Sequence, residues 1–296
     1  MIESLVLPAM GLFCVLFATF ISFSLAFKWG FKALYMQVPF GLTAIVAGYV
    51  VSNVLLFVVP IFLGSFVGYT LRAGKSLQFF VLISALIVSL AYTGNFFYLK
   101  QVKGVDIMQA AKQTMIETFS TSDLTIEKKN EMLVSLDQVM EITEKIIPFT
   151  TFIYALFLSF LTFFIAKLLL SNVKDSLKIQ GITLFRVNDY TIFVLIAGIA
   201  ALLYFDSNVD MTIFIVGLNA VLITATLYFL QALGVIGFFL SKKGLPLYIM
   251  PVFFVLLLFT GIGVVLFITI MLAGLGALDL WADFRKIGDT QPKTTK

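Results

Sequence analysis

Residues 211–243 read MTIFIVGLNAVLITATLYFLQALGVIGFFLSKK, and no charged side chain interrupts them between Asp210 and Lys242. Crossing the hydrocarbon layer of a bilayer takes about 20 apolar residues, so this run alone is long enough to span it. Six further runs of the same character lie at 4–27, 33–71, 76–98, 147–170, 190–205 and 244–280. Two of them, 33–71 and 244–280, are about twice the length of one span and are expected to fold back as hairpins. The expected fold class is all-α, a polytopic transmembrane helical bundle.

Composition supports that class and removes several chemistries. Apolar residues make up 60% of the 296-residue chain, and Phe alone occurs 33 times; soluble domains reach roughly half, glycine included. The first apolar run is too long for a signal h-region and lacks a small-residue cleavage site after it, so it is expected to be a span. Cys14 is the single cysteine, which leaves no disulfide framework. There is no histidine. Histidine-bearing metal sites, Ser-His and Cys-His pairs and imidazole proton relays are therefore excluded. No midplane pair of aspartates suggests an intramembrane aspartyl protease, and no catalytic constellation is found. The chain is expected not to be an enzyme and to need no metal or cofactor.

Charge placement sets an expected topology. Residues 100–146 hold eight acidic groups against six lysines, whereas the remainder of the chain is basic within a net charge of +4. Lys and Arg in short loops favour the cytoplasmic side. Placing Lys28/Lys32, Arg72/Lys75, Lys174/Lys178/Arg186, Lys242/Lys243 and Arg285/Lys286/Lys293/Lys296 there predicts about nine crossings, N-out and C-in. The run 33–71 would turn at Ser52-Asn53 and the run 244–280 near Gly261 and Gly263; kinks at Pro60 and Pro251 are the alternative. Trp29 and Trp281 fit an interfacial belt, and Lys167, near the end of its run, fits snorkelling. The expected organisation is N-terminal transmembrane helices at 1–98, an extracytoplasmic insert at 99–146, C-terminal transmembrane helices at 147–286 and a cytoplasmic tail at 287–296.

The insert reads as two amphipathic helices. Met108, Ala111, Met115 and Phe119 keep helical spacing in the first, and Met132, Leu136, Val139/Met140 and Ile146 in the second. Thr125 is the expected N-cap of the second helix.

Polar residues inside the apolar runs are the functional candidates. Thr224, Tyr228 and Gln231 fall at i, i+4 and i+7, on one helical face, and Asn219 shares a second face with Thr226. Such groups point into the bundle, either as interhelical hydrogen bonds or as the lining of a solute cavity. Asp206 and Asp210 read as solvated turn residues. Gly64/Gly68, Gly234/Gly237 and Gly274/Gly276 mark close helix contact. In the stretch Gly274-Leu-Gly-Ala-Leu-Asp279-Leu-Trp281-Ala-Asp283-Phe-Arg285-Lys286, Asp279 and Asp283 are one turn apart and Lys286 follows Asp283 at i+3. A helix continuing out of the membrane would let Asp279, Asp283, Arg285 and Lys286 pair locally, grip the preceding cytoplasmic loops, or dock a soluble partner.

At this motif the chain resembles a bacterial family of polytopic membrane proteins typified by YybS. The matching pieces are Gln231, Phe238-Phe239, Lys242-Lys243-Gly244 and Leu275 through Lys286, with Ile147-Pro148 after the insert and Phe185-Arg186 ahead of the next span. The likeness runs over about 60–286, with Val187-Asn188-Asp189 departing from the family's Trp and Pro. It implies a fold distantly similar to the solute-binding S components of energy-coupling-factor importers and to the shape-determining protein MreD. That family has no assigned reaction.

Two functions are expected from this reading. The first is a small-solute-binding, transport-like membrane subunit; the second is a non-catalytic scaffold or partner-binding component of a cell-envelope complex. The expected location is the bacterial cytoplasmic membrane, as a multi-pass protein. Its expected partners are the lipid bilayer, a small-molecule ligand and a membrane or cytoplasmic protein, but not nucleic acid.

Overall fold

The structure, a computed structural model, describes 20–28, scattered residues between 32 and 46, 54–120, 126–169, 182–204 and 211–289. The Ser52-Asn53 turn, the Thr125 cap, Trp29, Asp206, Asp210, the Lys167 side chain and the last residues of the tail lie outside the described residues. Within them, helices are the only regular structure: α1 (20–28), α2 (Val54–Arg72), α3 (Leu77–Gln101), α4 (Ile107–Ser120), α5 (Ile126–Lys145), α6 (Ile147–Leu169), α7 (Thr191–Leu203), α8 (Met211–Lys242), α9 (Ile249–Leu257), α10 (Ile262–Ala282) and α11 (Phe284–Asp289). Four of these are long and apolar enough to cross a membrane by length and composition: α3, Ile147–Ala166 of α6, α8 and α10. The apolar Val58–Arg72 and α7 are shorter.

The chain divides into two compact units, one of residues 1–75 with 80–177 and one of 76–79 with 178–296. In the first, α1 and α2 approach closely: a Cβ on Gly68 would come 2.7 Å from the Phe23 carbonyl oxygen and 2.8 Å from the Ala26 Cβ. Gln37 donates to the Ser22 carbonyl at 3.1 Å and accepts from Ser65 Oγ at 2.7 Å. Along α3 and α6, Ser84 meets Ser159 at 2.8 Å and Thr93 meets Thr151 at 2.8 Å, so the two helices run antiparallel. Pro148 sits in the first turn of α6, where its missing N–H leaves nothing unpaired.

The insert folds as the helices α4 and α5, held by Lys112–Asp137 at 2.5 Å and by Lys100 on Asp106 and Glu144. The inward stripe of α5 differs from the expected one. Leu133, Leu136, Met140 and Thr143 turn inward, whereas Met132 and Val139 are exposed. Sequence spacing alone allowed either stripe, because apolar residues lie on more than one face of this helix.

The second unit is built around α8, which at 32 residues is about 48 Å long. Small residues let its neighbours approach. Gly198 of α7 lies over Gly217 and Val221, and Gly217 lies under Ala201. Eleven residues further along α8, a Cβ at Gly276 of α10 would overlap the Tyr228 carbonyl and come 3.1 Å from the Ala232 nitrogen. Beyond both contacts, α8 ends in a Schellman turn. Gly244 takes φ 70°, Leu245 N–H donates to the Leu240 carbonyl at 2.9 Å and Gly244 N–H to Ser241 at 3.1 Å.

After this turn the chain runs back along α8, with Met250 beside Gly237 and Phe254 against Phe229. A one-turn 3-10 segment and Gly261, at φ 94°, then reverse it into α10. The predicted turn near Gly261 therefore falls where a positive φ breaks the helix. Its first arm is short, however: α9 has nine residues, about 14 Å. Pro251 is the third residue of α9, in the first turn, where its missing N–H would have no intrahelical partner.

Replacing Gly276 by Ala is expected to cost about 1–3 kcal/mol through overpacking against the α8 backbone. Gly274→Ala, with nothing within 4 Å of its Cβ position, should instead stabilise by up to about 1 kcal/mol through helix propensity. Thermal unfolding of the two variants in detergent checks the contrast.

Candidate functional site

Residues 182–190 join the loop before α7 to the side of α8, and only Ile182–Leu184 among them form a short 3-10 turn. Phe185 and Val187 are nonetheless buried. An extended segment buried among helices has backbone N–H and C=O groups that neither ladder nor solvent satisfies. Here three side chains from three elements supply the partners. Gln78, in the first turn of α3, brackets Arg186, accepting from its N–H at 3.1 Å and donating to its carbonyl. Gln231 Oε1 on α8 accepts from Val187 N–H at 2.8 Å. Arg285 on α11 donates to the Phe185 carbonyl at 2.7 Å.

Asp279 holds these supports together. Its side chain is 3% exposed. Gln231 Nε2 donates to Oδ2 at 3.0 Å, Arg285 donates to the same oxygen at 3.3 Å, and Phe284 N–H donates to Oδ1 at 3.0 Å. The last two contacts require a bend in the chain. The sequence reading carries the helix on past Ala282; the structure breaks it at Asp283, which adopts φ 42° and ψ 60°. Aspartate is among the few non-glycine residues that tolerate this left-handed conformation. The break swings Arg285 back over Asp279, a contact that a continuous helix would send outward.

Around this buried core lies a more exposed ring of charge. Lys286 meets Asp283 at 2.8 Å, Arg186 reaches Asp283 at 3.6 Å and Asp189 at 3.8 Å. The Lys286 ammonium, and beyond it Arg186, hold the Asp283 carboxyl below the usual aspartate range. Burial pulls the Arg285 guanidinium below its ordinary value while Asp279 resists the shift; the group remains a cation at neutral pH.

Of the residues singled out in sequence, Gln231, Asp279 and Arg285 meet in one network, with Asp283 and Lys286 beside it. Thr224 and Asn219 are elsewhere on α8: Thr224 Oγ1 donates to the Ala220 carbonyl at 2.7 Å and Asn219 Nδ2 to the Ile215 carbonyl at 2.8 Å. Tyr228 is 1% exposed, and its hydroxyl has no hydrogen-bond partner among the described residues. Arg285 Nε is likewise unpartnered there. Sequence reasoning missed Gln78 and the backbone of 185–187. The only signal for Gln78 was a lone amide in the opening turn of an apolar run.

Removing one partner of a buried ion pair costs about 3–5 kcal/mol, and replacing both by apolar groups costs less. Asp279→Leu and Arg285→Met are therefore each expected to lower stability strongly, and the double variant by less than their sum; additive effects in detergent unfolding would show that the pair is not a unit. A pH effect follows from Asp283. Because its folded-state pKa is depressed, its contribution is present above the ordinary value of 3.8 and is lost as pH falls through the lower folded value. The Asp283→Asn variant should accordingly flatten the acid limb of the melting temperature measured against pH.

The chain matches no curated protein and no solved structure. The sequence model of the family described as "Predicted membrane protein (DUF2232)" matches residues 1–280. The long apolar helices, a charge network buried between them and this match over nearly the whole chain agree, and the protein belongs to the DUF2232 family of membrane proteins.

Proposed function

We propose that the protein is a small-solute-binding, transport-like subunit of a bacterial cytoplasmic membrane, and that it is not an enzyme. The observation that carries this reading is the Tyr228 hydroxyl, buried midway along α8 with no partner among the described residues. A buried polar group left unpaired costs about 1–3 kcal/mol, and a group of this kind calls for an occupant. The occupant suited to it accepts or donates one hydrogen bond at the face that Tyr228 shares with Thr224 and Gln231. The resemblance to the YybS-like family, and its distant likeness to importer S components and MreD, supports the same reading by analogy. In this proposal the chain crosses the membrane about nine times, N-out and C-in; the reversal at Gly261 supports a two-armed C-terminal segment.

The alternative is a scaffold of an envelope complex, and a separate observation favours it. Gln231 is engaged on both its oxygen and its nitrogen, by Val187 and Asp279, which is the behaviour of a structural strut. For this reason Gln231→Leu would disturb folding under either reading, and Tyr228→Phe is the sharper variant.

Purified protein in detergent would be melted against a panel of vitamins, nucleobases and metal ions. A ligand at 100 times its Kd adds about 2.7 kcal/mol of stability. Solute binding at this site predicts one such response in the unmodified protein and its loss in Tyr228→Phe, with ligand-free stability retained. A flat panel together with specific co-purification of envelope proteins would favour the scaffold.

A further inference from the structure

A crevice of about 300 Å³ lies where α8 ends, between it, α10 and α11. Val235, Phe239, Leu240, Leu245 and Leu275 form its wall, Phe284 closes one side, and Lys243 is the one charged residue that lines it. The Schellman turn sets this arrangement. With Gly244 left-handed, Leu245 folds back towards Leu240, which accepts its N–H, and Lys243 is left at the rim with Lys242 next to it in sequence. Phe239 and Leu245 are partly exposed, so the trough opens sideways as well as at its charged end. Neither Asp nor Glu lines it.

An apolar trough with a cation in its lining fits an amphiphile carrying an apolar tail and an anionic head. The size selects further: a helix is about 10 Å across and does not enter a space this small, whereas a chain of methylenes does. Basic pockets between transmembrane helices bind anionic lipid headgroups by the same logic. We propose that this crevice is a binding site for an anionic phospholipid, with one acyl chain along the Val235–Leu275 wall and the phosphate at Lys243. Tyr228 does not line the crevice, whose nearest wall residue on that face, Val235, is two turns further along α8, and the proposal makes no use of the solute-binding reading.

The test uses the full-length protein in detergent, with phosphatidylglycerol and phosphatidylcholine of the same acyl chains titrated in and bound lipid counted by native mass spectrometry. Phosphatidylglycerol should bind more tightly than phosphatidylcholine. Lys243→Gln should reduce that preference about fivefold, the order expected for one lysine at an anionic lipid. Leu245→Trp, which fills the trough while keeping both lysines, should lower the binding of both lipids. Melting temperatures without added lipid establish that each variant is folded, and either variant alone suffices to decide. Equal binding of the two lipids, an unchanged preference in Lys243→Gln, or undiminished binding in Leu245→Trp would overturn the proposal. So would glycerol phosphate competing as well as the intact lipid, since that outcome assigns the site to a free phosphate.

Discussion

Satisfying the backbone of residues 185–187 is the constraint on which the rest of the second unit depends. Non-helical backbone deep among membrane helices is tolerated only where protein or a water-filled cavity surrounds it. Gln231, which takes the Val187 N–H, is 11 residues from Lys242 along α8, about 16 Å. Val187 is itself buried although Asn188 next to it is exposed, so this amide takes its partner from the protein. Gln78 and Arg285 must come to it from α3 and α11, and Arg285 arrives only because Asp283 breaks the helix after Ala282. Asp279 then compensates the buried guanidinium. Without that carboxylate the cost of burying Arg285 would exceed what one bond to a carbonyl returns.

The two units hold their helices together by different means. In the first, hydroxyl pairs such as Ser84–Ser159 and Thr93–Thr151 bridge α3 and α6. Ser84 and Ser159 also donate within their own helices, so losing the interhelical partner leaves neither oxygen without a bond. Contacts of this kind are worth about 0.6 kcal/mol on average in membranes. In the second unit the bonds around Asp279 involve charge and have no local substitute. Close packing makes that network possible: with a side chain at position 276, α10 could not lie against the Tyr228–Ala232 backbone, and Asp279 would not reach Gln231. The glycine, three residues before the aspartate, sets the distance at which the carboxylate can act.

Much of the architecture was legible because lipid imposes long apolar runs with charged boundaries, and α3, α6, α8 and α10 follow from run length alone. The insert was legible as two helices, but the inward face of α5 was not, since Met132 and Leu133 satisfy periodicity equally and tertiary packing chose Leu133. The site was half legible. Gln231 and Asp279 stood out as polar residues within or beside apolar sequence, yet nothing local indicated that they meet, because their partnership depends on the reversal at Gly261 and on Gly276. Phe185 and Val187 contribute through their backbone amide and carbonyl, which every residue carries. No side-chain pattern marks such a role, so it emerges only from three-dimensional placement.

The same bonds give the unit a mechanical property. Gln231 connects the middle of α8 to Val187, Asp279 connects Gln231 to Arg285, and Arg285 connects back to Phe185. One residue on, Arg186 passes outward to Asp283, and Asp283 to Lys286. A displacement of α8 beside Tyr228 therefore cannot remain local, because Gln231 is one turn away on the same helix and its two bonds are both committed. Either the 185–187 segment moves with α8, which drags Arg186 and the outer charges, or Val187 N–H and the Asp279 carboxylate lose a partner in a buried setting, at about 1–3 kcal/mol for each group. Bonds of that cost hold Gln231, the 185–187 segment and Asp279 in one arrangement, and through Arg186 that arrangement also places the outer charges.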